Sequence, residues 1–298
     1  MWFFSGREKL YSDGAPLGSR RIGIIAGSSS FPLLFAQAAA EKGYSVVAAA
    51  HVGETKPAIR GVVNRLRWFR VGEVGAIIDF FRENQINEIV LAGGINRIRL
   101  FGGVKLDARG AKLIARLRSL KDDVIMRGLA DELKDEGIEV VECTRFMESH
   151  LAPEGLISSR SPTPEEQRDI QVGIEAIKAL SSQDIGQTVV VRDGVIVAVE
   201  AVEGTDRTIQ RGGKLGGKGI VVVKFSKTTQ DLRFDVPTVG KKTLEILSSA
   251  GATALAIEAG RTLVLDQEEV IKLANRHKIS IVGVPALERS ERGRLYIN

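Results

Sequence analysis

The chain has 298 residues, long for a single core and sufficient for two domains. Its composition is globular, 44% hydrophobic and 27% charged, and aromatics reach only 5%, so aliphatic packing must carry the interior. A net charge of +5, spread along the chain, lacks the dense basic run of a nucleic-acid arm; a single cysteine, Cys143, excludes an internal disulfide and any zinc-ligand spacing.

The charge balance suits anionic small molecules or an anionic membrane surface, and the lone thiol fits a reducing compartment. No segment approaches the ~20 apolar residues of a membrane span. Residues 1–20 form a leader whose apolar tip, Met1-Trp2-Phe3-Phe4, lacks the charged lead and apolar core of a secretory signal. The start, Met1 to Glu8, reads as a frayed tail or a small interfacial anchor.

Residues 21–148 read as a Rossmann-like domain with a mostly parallel sheet. Arg21 to Gly27 is apolar on both faces, as a buried strand is. Gly27-Ser28-Ser29-Ser30 makes a tight turn, Phe31 to Gly43 has helical spacing, and Ser45 to Ala50 resumes the strand pattern, together a βαβ unit. The alternation repeats with a helix at Glu73 to Asn84, a strand at Glu88 to Ala92 broken by Gly93-Gly94, helices at Asp107 to Ser119 and Lys121 to Glu136, and a strand at Ile138 to Glu142.

Pro- and Ser-rich residues 149–164 read as an inter-domain linker, and 165–298 as a mixed α/β domain. Thr163-Pro164-Glu165-Glu166 supplies an N-cap, a proline at N1 and a capping-box glutamate for a helix reaching about Leu180. Asp193-Gly194, between Thr188 to Arg192 and Val195 to Val202, signals a hairpin. A strand at Val221 to Phe225, a helix at Lys241 to Ala250, strands at Ala254 to Ile257 and Thr262 to Leu265, a helix at Gln267 to His277 and a strand at Ile279 to Val282 complete the domain.

Gly27, Ser28, Ser29 and Ser30 would place main-chain N–H groups and hydroxyls at a helix N-terminus, where the dipole favours an anion. Gly93, Gly94 and Asn96 follow another parallel strand, so both loops should share one crevice and bind phosphate or nucleotide. Glu200 lies inside an apolar strand, where a carboxylate needs a cation, metal or donor. Glu203 and Asp206, around Gly204-Thr205, would converge with it in a set suited to Mg²⁺; the alternative is a solvated turn with a capping aspartate. Asp231, Arg233 and Asp235 alternate along a predicted strand ended by Pro237, with Thr238 capping the next helix. Asp122-Asp123 opens a helix, and Asp184 to Gln187 reads as a helix-to-strand turn. Glu258 closes another strand. Arg211 to Gly219 reads as a flexible cationic lid or a disordered hairpin tip. His51, His150 and His277 have no ligand spacing, and no nucleophile–histidine arrangement stands out, which favours carboxylate or metal-assisted chemistry.

Ile25-Ala26-Gly27 with Phe31-Pro32, Ala92-Gly93-Gly94-Ile95, Asp107-Ala108-Arg109-Gly110, Glu200 to Asp206 and Asp235-Val236-Pro237-Thr238-Val239-Gly240, among others, resemble one family. It is the LpxI-type UDP-2,3-diacylglucosamine pyrophosphatases, and the likeness runs from Arg21 onward. The resemblance implies a Mg²⁺-dependent hydrolase yielding UMP and 2,3-diacylglucosamine 1-phosphate (lipid X) in lipid A biosynthesis. It implies a cytoplasmic enzyme peripheral to the inner membrane, with substrate held between two domains; a homodimer is compatible. Asp235 would be essential, with Asp206 and Glu203 as catalytic partners and Asp235, Asp206 and Glu200 as metal ligands. Gly27 to Ser30, Gly93, Gly94, Asn96, Asp123, Gln187, Thr205 and Thr238 would bind substrate. The leader Met1 to Ser19 and the serines of the first glycine loop depart from the family pattern. The rival reading is a non-catalytic nucleotide-sugar or lipid-phosphate binding protein, against which the acidic series argues.

Overall fold

The computed structural model describes residues 12–13, 18–95, 105–119, 122–181, 185–226, 231, 233–234 and 236–285, with the main chain alone at Ser12, Asp13, Asp122, Asp123 and Ser181. Asp235 and Asn96 lie outside the described residues. The chain forms two units, one comprising residues 1–147 with Asp231–Phe234, the other residues 148–230 and 235–298.

The first unit holds β1 (Ser12–Asp13), β2 (Arg21–Ala26), α1 (Phe31–Glu41), β3 (Ser45–His51), β4 (Arg65–Phe69), α2 (Val74–Glu83), β5 (Glu88–Ala92), α3 (Ala108–Arg116), α4 (Asp122–Lys134) and β6 (Glu139–Val140). Its sheet runs β1-β4-β3-β2-β5-β6, parallel except for β1. The parallel strands are apolar on both faces because α1 covers one side with Phe35, Ala36 and Ala39. On the other side Ile25, Val47, Ala49, Ile89 and Leu91 pack with Ile77, Phe81 and Leu133.

β4 escaped the sequence reading because its Arg65 and Arg67 interrupt the apolar run. Arg67 lays its guanidinium over the Phe80 ring at 4.6 Å and pairs with Glu83 at 2.9 Å, so the strand carries charge without burying it bare. Within the leader, Ser12 and Asp13 pair with Leu66 and Arg65 at the sheet edge; its apolar tip, read as a tail or anchor, lies outside the described residues. Asp107 caps its own helix by accepting from Gly110 N at 2.7 Å and accepts from Gly75 N at 2.7 Å, tying two helix N-termini to one carboxylate.

The second unit holds β7 (Gly155–Leu156), α5 (Pro164–Ser181), β8 (Thr188–Arg192), β9 (Val195–Val199), α6 (Thr205–Gly216), β10 (Ile220–Lys224), β11 (Thr238–Val239), α7 (Lys241–Ser249), β12 (Ala252–Glu258), β13 (Leu263–Val264), α8 (Gln267–His277) and β14 (Ser280–Val284). Its main sheet, β7-β14-β12-β10-β8-β9, is mixed: β10, β12 and β14 are parallel and the others antiparallel. Val190, Val222, Leu255 and Ile281 face Ile209, Leu244 and Val270, while Val189, Val223, Ala256 and Val282 face Ile170, Ile174 and Ile177. This is the period-two division of a sheet covered on both sides.

The capping box forms as expected: Thr163 N donates to Glu166 at 2.8 Å and Glu166 N to the Thr163 hydroxyl at 3.3 Å. The Asp193-Gly194 hairpin forms too, both residues at positive φ. Buried Asp169 accepts from both turn amides, at 3.0 and 2.6 Å.

Two expectations need correction. The Pro/Ser-rich stretch read as a linker belongs to the second unit: Gly155–Leu156 pairs with β14, and Ala152 N donates to Thr262 O at 2.8 Å. Arg211 to Gly216, read with the following glycines as a lid or hairpin tip, is the C-terminal half of α6. A Cβ at Gly212 would stand 2.6 Å from Val190 Cγ1, and one at Gly213 would strike the Ala250 carbonyl, so these glycines let the helix lie close against its neighbours.

Candidate functional site

In the first unit, β2 sits where the strand order reverses, with β3 and β5 parallel on either side. Ligand crevices in doubly wound sheets open at that position, beyond the C-terminal strand ends. The two predicted loops meet there. Gly27 N donates to Ala92 O at 2.8 Å, Ser28 N to Gly94 O at 2.7 Å, and the Ser28 hydroxyl to the same carbonyl at 2.9 Å. A Cβ at Gly27 would strike Gly94 O, and one at Gly93 would strike Ser28 O. Gly93 also has φ +83°, in the left-handed region that favours glycine. Ser29 takes φ +80° and its hydroxyl accepts from Phe31 N at 3.2 Å. Ser30 stands at the α1 N-cap, where its carbonyl, not its side chain, takes the first helical bonds.

His51, set aside in the sequence for want of ligand spacing, closes β3 on the same rim. It is buried, and its Nδ1 lies 3.0 Å from Ala26 O. A carbonyl only accepts, so Nδ1 carries the proton and Nε2 keeps a lone pair. Thr55 donates to the same carbonyl at 2.6 Å and accepts from His51 N at 2.9 Å. Burial pushes the imidazole below its ordinary pKa, against the opposing pull of Ala26 O, Glu54 and Glu73. Asp123 is the second residue of α4.

In the second unit, β8 is antiparallel to both β9 and β10, so the ends of β9, β10 and β12 and the start of β8 share one rim. Glu200 stands one residue beyond β9, not inside it, and is buried, with its N–H on Thr188 O at 2.8 Å. The Thr205 hydroxyl, in the first turn of α6, lies 3.2 and 3.1 Å from the Glu200 carboxylate oxygens. Buried Lys224, closing β10, donates to that hydroxyl at 3.1 Å, and the Thr188 hydroxyl lies 3.3 Å from it. Beside this set, buried Glu258 accepts from Ser226 N at 2.9 Å and from the Ser226 hydroxyl. Gln187 carries a buried Oε1 that meets no partner among the described residues.

The expected convergence of Glu200, Glu203 and Asp206 does not occur. Glu203 accepts from Ala201 N at 3.1 Å and pairs with Arg211 at 2.5 Å. The arginine's hydrogen bond holds the Glu203 carboxyl below its ordinary pKa. Asp206 pairs with Lys242 at 2.5 Å. Each is drawn to its own cation by the turn of α6, and among the described residues no group of three acids, histidines or cysteines could hold a metal.

Asp231 and Arg233 sit in a turn, not a strand: Arg233 N and its guanidinium both reach the Asp231 carboxylate, and Phe234 N donates to Asp231 O at 3.0 Å. The arginine's hydrogen bond keeps Asp231 below its usual pKa. Phe234 packs against the apolar core of the first unit. Thr238 is not a cap. It pairs with Leu263 in β11, donates to Val236 O at 3.0 Å, and leaves the α7 N-cap to Gly240.

Sequence reasoning missed Lys224 and set His51 aside. Each ends an apolar run, IVVVK and SVVAAAH, as Glu258 ends ATALAIE. A lone ionisable residue closing a wholly buried strand is the signal that could have found them.

Residues 21–150 match the sequence model of the LpxI N-terminal domain, and residues 153–282 that of the LpxI C-terminal domain. The UDP-2,3-diacylglucosamine pyrophosphatase LpxI of Caulobacter vibrioides is 31% identical over 296 residues, covering 91% of this chain and 99% of that protein. Matched in both halves and along nearly its whole length, the chain belongs to the LpxI family.

Proposed function

We propose that this chain hydrolyses the pyrophosphate bond of UDP-2,3-diacylglucosamine, releasing UMP and 2,3-diacylglucosamine 1-phosphate in lipid A biosynthesis. The observation that carries the reading is the Glu200–Thr205–Lys224 set, its carboxylate and ammonium buried, at the strand-end rim of the LpxI C-terminal domain, in a chain whose Caulobacter relative bears that activity in its name. An anion-binding module has no need to bury a carboxylate there.

In this reading the first unit contributes the Gly27–Ser30 and Gly93–Gly94 main chain, the α1 N-terminus favouring the substrate's phosphate charge. The second contributes carboxylates. Water adds to a phosphorus, the bridging P–O bond breaks toward the departing phosphate, and a carboxylate takes the proton that water loses. Asp235 is assigned that proton by the family motif, with Asp206 and Glu203 as its proposed catalytic partners. Mg²⁺ commonly binds through one or two carboxylates plus substrate phosphates, so the absence of a three-acid cluster among the described residues does not conflict with it. Glu200, a hard oxygen donor at a strand end, fits as a ligand, with Asp235 as the further proposed one, whereas Asp206 is held by Lys242. Bound there, the ion would neutralise phosphate charge.

The two acyl chains of this substrate belong in a bilayer, which supports a cytoplasmic enzyme working at the inner-membrane surface. No helix among the described residues is long and apolar enough to cross a membrane. Purified protein given UDP-2,3-diacylglucosamine should release UMP with Mg²⁺ and lose that release in excess chelator. Substrate binding without UMP formation would replace this reading with a non-catalytic binding protein.

A further inference from the structure

Lys224 carries no role in the hydrolysis outlined above, yet it is buried with Glu200 on either side of one hydroxyl. Donor and acceptor valences fix the direction of every bond in that set. An ammonium only donates, a carboxylate only accepts, and a threonine hydroxyl has one proton and two lone pairs. With Lys224 Nζ donating to Thr205 Oγ1 at 3.1 Å, the Thr205 proton is committed to Glu200, whose oxygens lie 3.1 and 3.2 Å away. The Thr188 hydroxyl at 3.3 Å fills the remaining lone pair as a donor. The Thr205 hydroxyl is therefore fully occupied inside the protein.

We propose that Lys224 is a positioning residue that orients the Glu200 carboxylate through the Thr205 hydroxyl, making that hydroxyl an internal strut and not a substrate contact. The inference deepens the proposed hydrolysis and rests on it for its kinetic readout. Without the ammonium, the Thr205 hydroxyl regains a free lone pair and can turn its proton away from Glu200, leaving a buried carboxylate without that donor.

The test is a double-mutant cycle on the full chain with Lys224→Met, Thr205→Val and both, followed by UMP release. Each single change should lower kcat on the order of tenfold or more with KM little moved, since a strut, unlike the substrate contact the family resemblance implied for Thr205, does not touch the ligand. The double variant should be no more than about threefold slower than the slower single variant, because both changes break one wire. Thr205→Ser, which keeps the hydroxyl, should restore most of the rate. Losses that multiply, a near-normal rate in Lys224→Met, or a loss confined to KM would overturn the proposal. If Lys224→Met does not fold, Lys224→Leu, which likewise removes the donor, takes its place in the same cycle, with the same outcomes deciding. If the unaltered protein releases no UMP, the hydrolase reading fails separately. The cycle is then read from urea midpoints, where additive shifts would still sink the strut.

Discussion

The strand-end rims of the two units meet the same demand by opposite means. The first is built of main chain: Gly27, Ser28, Gly93 and Gly94 interlock through N–H and carbonyl groups, and the buried ionisable side chain beside them, His51, is held toward its neutral form. The second is built of side chains: Glu200, Lys224 and Glu258 are all buried, and hydroxyls of Thr205 and Ser226 bond to them. A main-chain cradle depends on shape, and any added atom damages it. A rim of buried charges depends on pairing, and removing one partner strands another. Changes that look equally mild on paper should therefore act differently, through geometry in one unit and through charge in the other.

The largest expected effect lies with the second unit's acids. Asp235→Asn should fold normally and lose turnover by on the order of a hundredfold or more, measured as UMP release. Near-normal activity in a folded variant would remove Asp235 from the reaction.

A smaller effect is expected in the first unit. Gly93→Ala forces a Cβ onto Ser28 O at φ +83°, so it should destabilise that unit by about 1–3 kcal/mol and raise KM on the order of tenfold. Urea unfolding and substrate kinetics check the two parts. An unchanged KM would show that the interlocked loops do not hold the substrate.

The smallest effect is a pH slope. His51 has a folded pKa below its unfolded value of about 6.5, so its contribution to stability is fully present above that pH. As pH falls from about 6.5 toward the folded value, that contribution is lost at roughly 1.4 kcal/mol per pH unit. Urea midpoints at pH 7.5 and 5.5 should separate more for the unaltered protein than for His51→Asn. Equal separations would show that the buried imidazole is not the group responsible.

Much of the fold was legible because burial writes itself into local pattern. Runs such as IVVVK and SVVAAAH mark strands covered on both faces, and Thr163 to Glu166 and Asp193-Gly194 carry their capping and turn chemistry within four residues. The two glycine loops could be assigned to one rim because parallel topology leaves no other place for them. The acid set was less legible. Glu200, Glu203 and Asp206 are neighbours in sequence, but the turn into α6 sends the last two to Arg211 and Lys242, eight and thirty-six residues further on.

The sequence by itself determined the family, the α/β class and the alternation of strands, since each depends on short-range periodicity and on motif strings. Only the tertiary structure decided that Arg211 to Gly216 is helix, that residues 155–156 belong to a sheet, and that Lys224 reaches Glu200 through Thr205. Those outcomes turn on close approach between segments distant in the chain. A glycine that admits a neighbouring element is written the same way as one that loosens a loop, and a lysine does not name its acceptor.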